Sequence, residues 1–119
     1  MNNFENSVTY NKSYLFAIRI VNLYKYLKLE HKEFVLSKQI LRSGTSIGAL
    51  LREAKYAQSH ADFINKLSIA LKEANETRCW IDLLNDTNFL SKKMYDSISL
   101  DINELIKLLV STIKTLKNK

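Results

Sequence analysis

The chain has 119 residues, of which 46% are hydrophobic and 25% charged, so it is one domain long and too apolar for wholesale disorder. Zero prolines and two glycines leave little turn chemistry, which excludes a sandwich or barrel of many short strands. The single cysteine, Cys79, excludes an intrachain disulfide framework and indicates a reducing compartment, so we expect a cytoplasmic protein. The sequence shows no secretory-signal pattern and no apolar run of the ~18 residues that a membrane span needs, so we expect no membrane partner.

The formal net charge is +6, and the excess of basic residues lies in the first half of the chain. Residues 1–58 carry nine Lys/Arg against four Asp/Glu, whereas residues 59–119 carry nine against eight. Such a balance favours an acidic partner such as nucleic acid. A charge of about +6 also serves simply to keep a small protein in solution, and this alternative stays open.

Apolar residues recur at the helical period in four stretches, which predict helices over about residues 7–29, 34–57, 59–86 and 91–117. Serine residues are predicted to cap the last two of these helices. Because the connections are only a few residues long, sequential helices should be antiparallel neighbours. The predicted fold is therefore all-α, an antiparallel up-down-up-down four-helix bundle in a single domain over residues 1–119. A long coiled coil is the alternative, but three breaks and wide apolar stripes count against it.

The first helix has two apolar stripes about 100° apart, which is more apolar surface than one core needs. One stripe contains Phe16 and Ile20, and the other contains Tyr14 and Ile18. Helix three likewise has an apolar set with a tryptophan on the side away from its core stripe. Such surfaces are typical of partner interfaces, so we expect self-association or a protein partner, unless helix one lies deep between its neighbours. The candidate interface residues are Ile69, Trp80, Leu83, Phe16 and Ile20.

The second helix contains an unusual run of small residues, Arg42-Ser-Gly-Thr-Ser-Ile-Gly48. Each glycine costs about 1 kcal/mol relative to alanine in a helix interior. Small residues at i and i+4 favour the close approach of a neighbouring helix, and a local break in the helix is the alternative. A phosphate-binding glycine loop is disfavoured because the run lacks the G-x-x-x-x-G-K-[ST] spacing and no strand precedes it.

Basic residues give the main functional signal. On helix two, three cations fall within roughly 80° of each other opposite the apolar stripe, and on helix one two cations align at i, i+7. The candidate nucleic-acid contacts are Lys38, Arg42, Arg52, Lys12 and Arg19. A further cluster near the end of helix one lies beside two tyrosines that could stack on bases; it consists of Lys25, Lys28 and Lys32, with Tyr24 and Tyr26. The alternative is that these charges are merely solvated.

Catalytic or metal chemistry has little support in the residues. The only histidines are His31 and His60, and Cys79 has no second cysteine, so the ligands of a zinc site are missing. We therefore predict no enzyme activity, no catalytic residue, no metal and no cofactor. Glu53 lies at the inner edge of helix two, where it either pairs with Arg78 or is solvated.

The central half of the chain resembles a known family. Residues 36–49 read LSKQILRSGTSIGA, residues 52–59 read REAKYAQS, and residues 61–77 read ADFINKLSIALKEANET. These motifs resemble the 23S rRNA intervening-sequence proteins, bacterial four-helix bundles of which most have no assigned activity. A departure is Leu50, where the family pattern has a polar residue. A relative, the accessory variability determinant of diversity-generating retroelements, is a basic pentameric bundle that binds nucleic acid.

The resemblance implies a homopentamer and carries over no catalytic or binding residue. Together with the basic faces, it leads us to expect a non-enzymatic oligomer that binds RNA or DNA non-specifically through phosphate contacts. The alternative is a protein-interaction or scaffold module, in which the homo-oligomer or a protein partner is the functional unit and nucleic acid is not bound.

Overall fold

The computed structural model describes residues 4–118, apart from the side chain of Glu5, and within that range it contains helices and no strand. The four predicted helices are confirmed, although the second is shorter than predicted by two residues at its start and three at its end. A short 3-10 helix, Phe4–Asn6, precedes the first of them. The long helices are α1 (Val8–His31), α2 (Leu36–Ala54), α3 (His60–Asp86) and α4 (Lys92–Lys117).

Serine side chains begin three of the long helices. The hydroxyls of Ser7, Ser59 and Ser91 each accept a hydrogen bond from the backbone N–H three residues on, at 3.0–3.1 Å. This contact satisfies one of the N–H groups that the first helical turn leaves without a partner. Helix α2 lacks such a serine, and the carboxylate of Glu33 accepts from the Ser37 N–H instead, at 2.7 Å.

Contacts between distant residues show that the helices run up and down. At one end of the bundle His31, at the end of α1, packs edge-on against Phe89 in the α3–α4 turn. At the other end His60, at the start of α3, lies 3.2 Å from the carbonyl oxygen of Leu116. The molecule measures 46 × 20 × 20 Å, which fits helices of this length lying side by side.

The core is built from one apolar stripe of each helix, as the periodicity predicts. Several polar side chains are buried with it, and the serine and threonine hydroxyls hydrogen-bond to carbonyls of the preceding turn or to each other. The largest fully buried side chains are Phe16, Ile20, Leu27, Ile40, Ile47, Leu51, Leu67, Ile81, Leu84, Ile102, Leu105 and Leu109.

The two glycines of α2 bring this helix close to α1, so the predicted close approach is confirmed and α2 is not broken there. A Cβ at Gly44 would lie 2.7 Å from Cγ1 of Ile20, and a Cβ at Gly48 would lie 3.3 Å from the carbonyl oxygen of Ser13. Helix α2 continues through both positions. The cost of glycine inside a helix is therefore offset by closer packing of two helices.

Candidate functional site

Of the three candidate cations on α2, Arg42 is held by acids of the neighbouring helix. One guanidinium nitrogen pairs with the carboxylate of Glu76, and the other lies 3.5 Å from that of Glu73. The indole N–H of Trp80 donates to the same Glu76 oxygen at 3.4 Å. A phosphate at Arg42 would therefore have to displace a carboxylate.

Lys38 and Arg52 have no carboxylate within 4.0 Å among the described side chains, which do not include that of Glu5. Both side chains are exposed on the outer side of α2. The guanidinium of Arg52 lies over the ring of Tyr14 from α1, 5.6 Å from the ring centroid, which is cation–π geometry. These two cations keep their charge available to an external anion.

The two candidate cations on α1 connect this helix to α4. The Lys12 amine lies 2.5 Å from a carboxylate oxygen of Glu104, and an Arg19 guanidinium nitrogen lies 2.5 Å from one of Asp101. Arg19 also donates to the hydroxyl and the carbonyl oxygen of Ser97. Helices α1 and α4 pack less closely than the other neighbouring pairs, and these ion pairs bridge the gap.

A shallow apolar groove lies between α1 and α4 beside the Arg19 ion pair. It has a volume of about 280 Å³ and is lined chiefly by Leu23, Tyr26, Leu90, Met94 and Ile98. No polar group converges on it except Arg19 and Asn22 at its rim, and the Arg19 guanidinium is engaged by Asp101. The groove therefore offers apolar area and no arrangement for chemistry.

The candidate interface residues divide into two groups. Ile69 and Leu83 are exposed on α3, whereas Trp80 is half-buried and packs against the core, so the α3 patch stays a prediction. The assignment of Phe16 and Ile20 to an interface is wrong, since they are 2% and 0% exposed in the core of the chain itself. Of the two stripes on α1, theirs is the one that faces the core of the bundle.

Exposed apolar side chains occur at several further places. The second stripe of α1 leaves Tyr14 and Ile18 exposed, and Leu15 lies beside them. On α4 Leu100 and Val110 are exposed, and the apolar period of that helix does not reveal them because they interrupt a polar face. The α1–α2 turn also exposes Phe34 and Val35, which were predicted only as the first residues of helix two. The bundle therefore has more than one surface suited to a partner.

Titratable groups outside these surfaces show local pairing. The phenol of Tyr95 donates to Asp82 at 2.7 Å, and this hydrogen bond raises the pKa of Tyr95. Glu53 is exposed, and Arg78 donates to Asn103 and Asn75, so the two do not pair. Among the described side chains, which leave out that of Glu5, no three His, Cys, Asp or Glu residues are grouped closely enough to hold a metal ion.

The fold and these surfaces define the chain as an antiparallel four-helix bundle with ion-paired seams and exposed basic and apolar patches. No helix in the described range combines the length and hydropathy required for a membrane crossing. The chain matches the 23S rRNA-intervening sequence protein family over residues 5–111, and it belongs to that family.

A crystal structure of a protein with unknown function from the S23 ribosomal protein family of Bacteroides thetaiotaomicron is similar to the chain. The two share 62% sequence identity with a TM-score of 0.89, and the match covers 93% of this chain and 98% of that one. A search of curated proteins finds no match. The resemblance deduced from residues 36–77 is therefore confirmed as family membership, and neither relationship names a ligand or a partner.

Proposed function

We propose that this chain is a non-enzymatic, self-associating helical bundle of the cytoplasm that binds RNA or DNA through exposed cations, without a metal or cofactor. The observation that carries the proposal is the pair Lys38 and Arg52, exposed on the outer side of α2 with no carboxylate within 4.0 Å in the described range. Together with the net charge of +6, these cations favour an anionic polymer as the partner.

Contacts of this kind recognise phosphates and carry little sequence information. Helix α2 is not the recognition helix of a helix-turn-helix motif, so the fold gives no support for sequence-specific contacts to bases in the DNA major groove. Affinity should then arise mainly from counterion release and depend steeply on salt. An oligomer would present several copies of a modest site, which strengthens binding by avidity.

Fluorescence anisotropy with a labelled structured RNA and a labelled duplex DNA, at about 50 and 200 mM salt, tests this proposal. We expect binding at the lower salt concentration that collapses at the higher one. The double variant Lys38→Gln/Arg52→Gln should weaken binding, whereas Lys72→Gln/Lys107→Gln, which removes the same charge elsewhere, should weaken it less. Absence of binding to both probes at low salt would contradict nucleic-acid binding.

A scaffold function is the second candidate, favoured by the exposed apolar side chains of Ile69 and Leu83 on either side of Trp80. Here the homo-oligomer or a protein partner would be the functional unit, and the pentamer implied by the family resemblance is the assembly we propose. Light scattering after size exclusion should show a multimer that Trp80→Ala shifts to smaller species. The control is Leu100→Ala, which removes an exposed leucine on α4; if both variants keep the wild-type mass, the α3 patch is not the interface.

A further inference from the structure

Three lysines form a row at the end of α1 that leads into the α1–α2 turn. Lys25 and Lys28 are spaced i, i+3 on one side of α1, and Lys32 directly follows the last residue of that helix, so the three extend over about 10 Å. None of them has a carboxylate within 4.0 Å among the side chains that the structure describes. The Lys28 amine lies 4.8 Å from the centroid of the Tyr24 ring, so the ring holds it on that side. We name these three residues the lysine row.

An exposed aromatic ring follows the lysine row directly. Phe34 lies in the α1–α2 turn and is 50% exposed. Its ring has no aromatic partner in the part of the chain that the structure describes. Phe34 is two residues from Lys32 in the sequence, and exposed rings combined with cations are what proteins use to stack the unpaired bases of single strands.

The acid nearest to this ring is occupied elsewhere. Glu33 accepts hydrogen bonds from the backbone N–H groups of Ser37, at 2.7 Å, and Val35, at 3.3 Å. Its carboxylate therefore caps the N-terminus of α2, where the helix dipole favours negative charge. Because Glu33 is used in this way, it forms no ion pair with the lysine row, whose charge remains available.

Lys32 has a left-handed backbone conformation, which glycine usually adopts and lysine rarely does. Lys32 has φ 54° and ψ 33°, the left-handed conformation, and its N–H closes α1 by bonding to the carbonyl oxygen of Leu27. Glycine adopts this conformation at the C-terminal end of helices without steric cost, whereas a lysine is strained there. Lys32 therefore places a cation at the end of the row, in a conformation that glycine would adopt with less strain.

We infer that the lysine row and Phe34 together bind an unpaired stretch of nucleic acid, with phosphates along the row and one base stacked on the Phe34 ring. This inference rests on the proposed nucleic-acid function and adds the contact site and the single-stranded form of the ligand.

The last turn of α1 exposes Leu29, at 72%, and the α1–α2 turn exposes Val35, at 70%, so an anionic membrane is the competing partner. The lysine row argues against it. The row follows the side of α1 along the 46 Å axis of the bundle, a direction that a strand can follow. A flat lipid surface touching the end of the bundle would meet only the last of the three lysines.

The test measures anisotropy with a labelled single-stranded oligouridylate and with a hairpin duplex of equal length, at about 50 and 200 mM salt. We expect the triple variant Lys25→Gln/Lys28→Gln/Lys32→Gln to bind the single strand about tenfold more weakly at low salt, with a salt slope smaller by about 2. The matched control, Lys72→Gln/Lys107→Gln/Lys114→Gln, loses the same charge on α3 and α4 and should change affinity much less.

Two single variants separate binding from folding. Phe34→Ala should weaken single-strand binding at least about fivefold and duplex binding less, whereas Phe34→Tyr, which keeps a ring, should preserve both. Lys32→Gly should weaken binding while the Tm stays the same or rises, because glycine relieves the left-handed backbone. A loss of affinity in a protein that is at least as stable as the wild type cannot be attributed to unfolding.

Each remaining outcome overturns a definite part of the argument. Equal loss in the two triple variants, or an unchanged affinity in Phe34→Ala, would refute this site and leave the broader nucleic-acid proposal standing. No binding of the wild type to either probe at low salt would refute both. Binding to phosphatidylserine vesicles that Phe34→Ala abolishes, with none to the single strand, would assign the site to a membrane.

Discussion

Replacing Gly44 with alanine tests the closest helix approach in the bundle. The added Cβ would lie 2.7, 2.9 and 3.1 Å from the Cγ1, Cγ2 and Cδ1 atoms of Ile20. Separations below 3.0 Å require movement, and Ile20 has no room to move because it is fully buried and branched at Cβ. The substitution therefore overpacks the interface between α1 and α2.

Two opposing terms set the size of the effect. Overpacking a well-filled core costs about 1–3 kcal/mol, and two contacts below 3.0 Å place this site in the upper half of that range. Replacing glycine by alanine inside a helix returns about 1 kcal/mol. We expect Gly44→Ala to lower the free energy of unfolding by about 1–2 kcal/mol net, which would lower the urea midpoint by roughly 0.5–1 M.

Urea unfolding at one fixed protein concentration measures this change, and a double-mutant cycle identifies its cause. In an Ile20→Ala background all three close contacts are gone, so Gly44→Ala should stabilise the protein by about 1 kcal/mol. The control is Gly48→Ala, whose Cβ would meet the Ser13 carbonyl oxygen at 3.3 Å and should be close to neutral. Stabilisation by Gly44→Ala in the wild-type background would refute the packing argument.

Three further expectations follow from individual side chains. Thr77→Val should lower the free energy of unfolding by about 1–3 kcal/mol, measured by heat or urea, because the buried Ser43 hydroxyl, 2.9 Å from that of Thr77, loses its hydrogen-bond partner. Adding Ser43→Ala should recover much of this free energy, and no recovery would contradict the proposed cause. The hydrogen bond to Asp82 raises the pKa of Tyr95 above 10.0, so the protonated phenol favours the fold below pH 10.0, and this contribution disappears as the pH rises through the folded pKa. NMR titration should show a lower Tyr95 pKa in Asp82→Asn, and an unchanged value would contradict the hydrogen-bond origin. Arg42→Gln should cost no more than about 1 kcal/mol in urea unfolding, since its ion pairs are largely solvated, and a larger loss would mean that the pairs are essential to the fold.

The sequence predicted the helices well because their apolar period and cap residues are local signals. Ser59 and Ser91 lie where their helices begin, and the apolar stripes of α2, α3 and α4 form the core. The end of α2 was placed three residues too late because residues 55–59 contain no glycine or proline to mark the turn. The αL residue that ends α1 was also unforeseen, since Lys32 is not a residue type that usually adopts that conformation.

The candidate site was harder to predict, because its geometry depends on residues far apart in sequence. Arg19 and Asp101 are separated by 82 positions and meet only when α1 lies against α4. Helix α1 posed a second difficulty, since both of its stripes are apolar and periodicity alone does not say which one faces the core. Phe16 and Ile20 were assigned to an interface for that reason, and the packing of Ile20 against Gly44 resolves the choice.

The ion pairs also change how the basic charge of the chain bears on function. Lys12, Arg19 and Arg42 are three of the five nucleic-acid contacts predicted from the sequence, and each lies against an acid from another helix. Substituting them should alter the stability of the bundle more than its affinity for a polyanion. The opposite is expected for a cation such as Lys32, whose replacement by glycine relieves the backbone and removes an available charge. Measuring the free energy of unfolding and the nucleic-acid affinity of both Arg42→Gln and Lys32→Gln therefore distinguishes cations that pair with acids of another helix from cations that would bind a partner.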